Sequence, residues 1–213
     1  LLDGKTISIT GSKSISNRLL ILGKLFGDLK IENLSNSQDT QLLQKALNED
    51  SETVDIHHAG TAMRFLTSFY AIQEGRKTIL TGSERMKQRP IKPLVDALRE
   101  LGAEINYLEN EGFPPLEIQG KKIEKNFVKI PANISSQFIT SLILIGAILE
   151  NGLEIDLKGE ITSRSYIKMT LKILKDIGIE TRFEGNTIKI LSAASSLSNQ
   201  KLDRHYHSSK IKH

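Results

Sequence analysis

Residues 10–18 read TGSKSISNR, with three serines, an asparagine, a lysine and an arginine directly ahead of the apolar run LLILGKLF. Such a stretch opens an amphipathic helix, where unpaired backbone N–H groups and the positive end of the peptide dipole both favour anions. Hydroxyls, a lysine and an arginine at the same place add donors suited to phosphate and carboxylate. The pattern recurs along the chain. Gly60 and Thr61 open AGTAMRFLTSFYAI, Arg89 and Pro90 precede IKPLVDALREL, Ser135 and Ser136 open SSQFITSLILIGAIL, and Ser163 precedes RSYIKMTLKILKDIG. Plain N-capping accounts for any one serine taken alone, and Arg89 beside Pro90 alone reads as a surface cation at a helix's first turn. Gathered on one side, these weak anion sites become one strong site. GSKS is not a nucleotide-binding P-loop, because the glycines that loop needs are missing. His57 and His58 are adjacent; read as strand residues they point to opposite faces and do not chelate one metal.

The elements that must position these groups form a repeat. LTG at 80–82 followed by RPIKPLVDALRELGAEI returns as LKG at 157–159 followed by RSYIKMTLKILKDIGIE, offset by 76 or 77 residues. In both copies four apolar residues share one helical face, Ile91, Val95, Leu98 and Leu101 matching Ile167, Leu171, Leu174 and Ile177. Each helix is predicted to stop at a glycine, Gly102 or Gly178, in a left-handed cap. With the flanking segments the unit reads helix, strand, helix, strand, strand. A looser copy opens the chain: helix SISNRLLILGKLF, strand DLKIENL, helix QDTQLLQKAL and a short strand near VDI. The expected fold is therefore α/β, one domain of three repeated α/β units spanning roughly 1–57, 58–120 and 121–191. No single unit is large enough to bury its own apolar faces.

Composition bounds the function classes. The chain has 213 residues and 38% apolar content, enough for a real core, and its lack of cysteine excludes disulfides, thiolate metal sites and a cysteine nucleophile. The apolar stretch FITSLILIGAIL is too short to cross a bilayer, so the expectation is a cytoplasmic protein without membrane contact. Of the net charge of +4, residues 192–213 supply +3 through Lys201, Arg204, Lys210 and Lys212 against Asp203. The remainder is nearly balanced, aromatic residues make up only 5%, and rings do not alternate with cations, so nucleic-acid binding is not expected. The polar tail 192–213 is expected to be poorly ordered.

TGSKSISNR, AGTAMRF, LTGSERMKQRPI, ISSQF and SRSY, in this order and at these separations, closely resemble the N-terminal half of 5-enolpyruvylshikimate-3-phosphate synthases. The resemblance runs from about residue 4 to about residue 191. The related enolpyruvyl transferases acting on a UDP-sugar are less similar, lacking the GSKSxSNR signature. The resemblance implies an inside-out α/β barrel, with helices inside, sheets outside and helix starts aimed at a cleft between two such domains. It implies transfer of the enolpyruvyl group of phosphoenolpyruvate to the 5-hydroxyl of shikimate 3-phosphate, in chorismate and aromatic amino acid biosynthesis, through a tetrahedral intermediate that releases phosphate. It implies neither metal nor organic cofactor.

Carried over motif by motif, Lys13 approaches both substrates and is the catalytic candidate. Ser14 and Arg18 hold the hydroxyl and carboxylate side of shikimate 3-phosphate. Ser135, Ser136 and Ser163 bind its 3-phosphate, while Gln137 and Tyr166 line the ring and the cleft. Gly60 lets phosphoenolpyruvate approach the backbone, with Arg89 pairing its phosphate and Gln137 nearby; glyphosate, which takes that position in the family, meets Lys13, Gly60 and Arg89. Arg64, Arg85 and Lys87 are assigned to local structure or the charge field. The chain departs from the family pattern at Thr10, where proline is usual, at His57-His58, where Gly-Asn is usual, and at Phe65, where proline is common. The family's second domain, with the carboxylates for proton transfer, has no counterpart, so this polypeptide is expected to bind shikimate 3-phosphate weakly and turn over negligibly alone. The competing expectations are a stand-alone anion-binding module without catalysis and a structural repeat whose serines are only caps.

Overall fold

The computed structural model describes residues 10–27, 29–196 and 205–207. In chain order the elements are α1 (Lys13–Phe26), β1 (Lys30–Glu32), α2 (Gln38–Asn48), β2 (Thr53–Asp55), α3 (Gly60–Ala71), β3 (Lys77–Thr81), α4 (Glu84–Lys87), α5 (Lys92–Leu101), β4 (Glu104–Tyr107) and β5 (Leu116–Gln119). They continue with β6 (Phe127–Pro131), α6 (Ser136–Gly146), β7 (Leu153–Lys158), α7 (Arg164–Asp176), β8 (Thr181–Glu184), β9 (Thr187–Ile190), α8 (Ala193–Ser196) and β10 (His205–His207). Local chemistry sets the helix ends. The Ser37 hydroxyl accepts from the Thr40 N–H at the start of α2, and the Ser135 hydroxyl accepts from the Gln137 N–H at the start of α6. Gly102 and Gly178 both hold left-handed backbone, φ 109° and 91°, immediately after the apolar faces of α5 and α7 run out.

Two sheets carry the repeat. Their strand orders are β2-β3-β5-β4 and β6-β7-β9-β8, and in both the first pair is parallel and the other two are antiparallel. A parallel first pair requires a crossover, which α3 and α6 provide. Each complete unit is thus strand, helix, strand, helix, strand, strand, and it begins one strand earlier than the helix-first reading of the sequence. The short strand near VDI, read as the close of the first unit, bonds instead to β3 as the opening strand of the second. The first unit contributes β1, which pairs in parallel with β10, Lys30 beside His205 and Glu32 beside His207. Of the tail, residues 192–196 and 205–207 are described, Ser192 being buried; 197–204 and 208–213 lie outside the described residues, and so does most of the expectation of poor order.

Helices occupy the middle and sheets the outside, as the resemblance implied. Every residue of α3 is buried, and so is every residue of α6 except Gln137. Along β6 the residues alternate exposed and buried, as in a sheet with one face against the core and one toward water. The two central helices are joined by polar contacts as well as by packing: the buried Ser141 hydroxyl donates to the Arg64 carbonyl at 2.7 Å. Among the described residues no helix is long and apolar enough to cross a membrane.

Candidate anion site

A cavity of about 250 Å³ is lined by Lys13, Ser14, Asn17, Arg18, Thr61, Phe65, Ser135, Ser136, Gln137 and Tyr166. These residues come from the N-cap of α6 and the first two turns of α1, α3, α6 and α7, so the N-terminal ends of four helices border one space. The positive end of a helix dipole favours an anion. Among the described residues the cavity wall holds no carboxylate.

The serines of TGSKSISNR divide their labour. Ser12 is the N-cap of α1 but makes no side-chain cap bond, Ser14 faces the cavity, and the buried Ser16 accepts from the Ser35 N–H at 2.9 Å. Asn17 donates to Asp39 at 2.7 Å and accepts from the Thr40 hydroxyl at 2.7 Å, fastening α1 to the start of α2. Capping therefore explains little of this stretch; it is built for tertiary contact and for the cavity.

Arg18 is 3% exposed. Its Nε donates to the Thr170 hydroxyl at 2.8 Å, and its terminal nitrogens donate to the Ser14 carbonyl at 2.6 Å and the Thr140 hydroxyl at 3.3 Å. All three acceptors are neutral. Burial lowers its pKa from the usual arginine value to about 10, which leaves it charged at neutral pH without a carboxylate beside it. A buried cation held by neutral acceptors is a standing demand for an anion.

A second cationic place adjoins the first. The buried Arg64 donates to the Gly60 carbonyl at 2.9 Å and reaches the Pro90 carbonyl at 3.4 Å. On the other side of Gly60 lies Arg89: a Cβ built on this glycine would stand 2.3 Å from an Arg89 terminal nitrogen and 2.9 Å from its Cζ. Burial first, and repulsion from Arg89 second, lower Arg64 to about 10, with Asp39 opposing. Thr61 connects the two places, its hydroxyl accepting from the Gln137 side-chain amide at 3.3 Å. Arg89 precedes α5, which starts at Lys92 after Ile91, so Pro93, not Pro90, is the proline of its first turn.

Both lowered arginines predict an observable. Anions favour the charged guanidinium, so deprotonation removes the attraction, and affinity for a phosphate-bearing anion should hold through neutral pH and fall as pH rises past about 10. Arginine ¹³Cζ resonances should report the same event: those of Arg18 and Arg64 should move near pH 10, where an exposed arginine stays protonated. Flat Arg18 and Arg64 resonances through that range would show that burial does not lower these two arginines.

Other residues singled out from the sequence fall outside the cavity wall. Ser163 is the N-cap of α7, makes no side-chain cap bond and is absent from the cavity lining. Lys87 is engaged by Glu84 at 3.4 Å and Glu109 at 2.9 Å, which raise its pKa, Glu109 first; it holds local structure. Arg85 is exposed on α4. His57 and His58 lie in the turn after β2, not in a strand, so the opposite-face argument does not apply to them. Their rings meet edge to face at 5.0 Å, and the His58 Nε2 bonds to the Gln38 side chain at 3.0 Å. The sequence reading noted Asn17 and Thr61 at helix starts without giving them a site role, and it missed Thr140 and Thr170. The last two are single hydroxyls on apolar helical faces that become meaningful only once Arg18 lies between them.

Central helices crossing from β2 to β3 and from β6 to β7, with their starts gathered on a cationic cavity, define an α/β domain of the enolpyruvyl transferase type. Comparison with known proteins agrees. The family model for EPSP synthase (3-phosphoshikimate 1-carboxyvinyltransferase) matches residues 43–202. The 3-phosphoshikimate 1-carboxyvinyltransferase of Bacteroides fragilis (strain YCH46) is 53% identical over 174 residues, covering 81% of this chain and 42% of that protein. That of Haemophilus influenzae (strain KW20 / Rd) is 41% identical over 204 residues, covering 82% of this chain and 47% of its own length. Among solved structures, EPSP synthase from Acinetobacter baumannii shares the fold with a TM-score of 0.71 at 19% identity, over 92% of this chain and 47% of that one. The chain belongs to the EPSP synthase family. It spans less than half the length of these relatives.

Proposed function

We propose that this polypeptide provides the shikimate 3-phosphate half-site of a cytoplasmic enzyme that transfers the enolpyruvyl group of phosphoenolpyruvate to the 5-hydroxyl of shikimate 3-phosphate, releasing phosphate. Residues 1–191 act in this reading as one domain of three repeat units. The observation that carries it is the convergence of four helix starts on a cavity with Lys13 and Arg18 in its wall and no carboxylate. That cavity suits a ring bearing a phosphate and a carboxylate. Ser135 and Ser136, at the start of α6, take the phosphate, with Ser163 approaching from α7; Ser14 and Arg18 take the hydroxyl and carboxylate. Gln137 and Tyr166 border the ring. Phosphoenolpyruvate lies beside it, over Gly60, its phosphate on Arg89 and its other end toward Gln137, with Lys13 between the two substrates.

The reaction takes the proton from the 5-hydroxyl as its oxygen bonds to C2 of the enolpyruvyl group and adds a proton at C3; it then breaks the bond from C2 to the phosphate oxygen, releasing phosphate, and removes a proton from C3 to restore the double bond. Those transfers need an acid-base pair. The cavity offers hydroxyls, two amides and cations. Asp39, the nearby carboxylate, already accepts a hydrogen bond from Asn17. The proton-transfer groups are therefore assigned to a second domain closing over this one, and the described residues by themselves bind substrate without turning it over.

Calorimetric titration of the chain with shikimate 3-phosphate tests this reading. Binding is expected, and Ser136→Ala should weaken it about tenfold through loss of one charge-assisted hydrogen bond. Binding of inorganic phosphate with indifference to shikimate 3-phosphate would favour a general anion module, and unchanged affinity in Ser136→Ala would remove α6 from the site.

A further inference from the structure

We propose that Phe65 is a positioning residue that fixes the Arg18 guanidinium for the carboxylate of the ring substrate, and so makes this site selective for a carboxylated phosphomonoester. The inference rests on the shikimate 3-phosphate reading above and adds to it a residue that the resemblance leaves without a role.

A guanidinium has five N–H donors in a rigid plane. Arg18 spends three of them on Thr170, Ser14 and Thr140, and two remain for a ligand in the cavity that this residue lines. Where those two point depends on what holds the plane. Hydrogen bonds secure its inner edge, and two aromatic rings lie near its Cζ, Phe65 at 5.7 Å and Tyr166 at 6.0 Å. The rings differ in worth. Tyr166 is 45% exposed in the first turn of α7, where water competes for its ring. Phe65 is 1% exposed and sits on α3, a helix buried along its whole length. A cation facing a desolvated, immobile ring gains more than one facing a solvated ring. The fixed surface for the guanidinium is therefore Phe65, and a proline at this position has neither ring face nor reach to supply it.

The arrangement separates the two charges of the ligand. Its phosphate meets the serines at the start of α6, which Phe65 does not hold. Its carboxylate meets Arg18, which Phe65 does. Loss of the ring should accordingly damage recognition of the carboxylate and spare recognition of the phosphate.

Two probes read this difference: shikimate 3-phosphate, and its methyl ester, which keeps the phosphate and ring and lacks the carboxylate charge. In Phe65→Leu, affinity for the acid is expected to fall about tenfold while affinity for the ester changes by less than about twofold. Phe65→Met serves as the second variant if leucine leaves the chain unfolded by circular dichroism. An equal loss for both probes would make Phe65 a packing residue only, and no loss for either would also overturn the proposal. A ligand-free measurement separates the two levels of inference. The Arg18 Nε–Hε resonance of the unliganded chain should be sharp and slow to exchange, and broadened or lost in Phe65→Leu. If the parent chain ignores both probes, the shikimate 3-phosphate reading fails. The clamp on Arg18 then stands if that resonance still depends on Phe65, and falls if the variant leaves it unchanged.

Discussion

Replacing Arg18 with methionine is expected to abolish measurable binding of shikimate 3-phosphate while leaving the chain as stable as before, or slightly more so. The two effects have one cause. Lowering the Arg18 pKa by burial to about 10 corresponds to roughly 3 kcal/mol of disfavoured charge in the unliganded fold. That cost is borne because an anion is to arrive. Methionine fills a comparable length with an apolar chain and removes the charge from the interior, and exchanges of this kind leave proteins equally or more stable.

The neighbours of Arg18 tolerate its loss. Thr170 already donates to the Tyr166 carbonyl at 2.8 Å, the Thr140 and Thr170 hydroxyls lie 3.4 Å apart, and the Ser14 carbonyl sits where it can accept the helical N–H of residue 18. The bound carboxylate, by contrast, would lose the guanidinium that pairs with it, leaving Lys13 as the remaining cation of the cavity wall. Losing one partner of a buried charge pair costs about 2–5 kcal/mol, so affinity should drop by about a hundredfold or more. Chemical denaturation and calorimetry on the same preparation check both halves. A variant that binds normally would remove Arg18 from the site, and one that is destabilised by as much as a core truncation would make Arg18 a structural residue.

The parts of this design that were legible in the sequence are those governed by neighbours along the chain. Ser135 beside Gln137, Ser37 beside Thr40, and Gly102 after Leu101 express capping chemistry within a few residues, and periodicity placed the buried faces of α5 and α7 correctly. What lay beyond reach depends on pairing across distance. Nothing local distinguishes VDI as the end of one unit from VDI as the start of the next, because its partner β3 lies on the far side of α3. The same limit hid the support of Arg18. Its hydroxyl partners are 122 and 152 residues away, and a threonine on an apolar helical face reads as filler until the cation is seen between them. The site residues of the first turns were readable because donors crowded at a helix start are unusual for their position. Ser163 has the same local signature and caps α7 from outside the lining of this cavity, so the signature alone does not place a residue in its wall.

Gly60→Ala should separate function from stability in the same sense as Arg18→Met, at the other cationic place. Gly60 is the first residue of α3 and has helical backbone, where alanine is favoured over glycine by about 1 kcal/mol. The fold should therefore accept the substitution without loss. The new methyl, however, would stand 2.3 Å from an Arg89 terminal nitrogen, 2.9 Å from its Cζ and 3.1 Å from the other terminal nitrogen. Arg89 is an exposed side chain in the connection between α4 and α5, so its far end swings away more cheaply than α3 shifts. Its displacement removes the cation assigned to the phosphate of phosphoenolpyruvate, and the methyl occupies the ground over which that ligand approaches the backbone. Loss of a charge-assisted pair together with the steric term is expected to weaken phosphoenolpyruvate binding about a hundredfold. Binding of shikimate 3-phosphate, whose donors lie on α1, α6 and α7, should change by less than about threefold. Titrating each ligand separately, with a thermal melt alongside, distinguishes the outcomes. A parallel loss of both affinities would mean that α3 itself moved. Undiminished phosphoenolpyruvate binding would show that the contact between Arg89 and Gly60 has no part in holding that ligand.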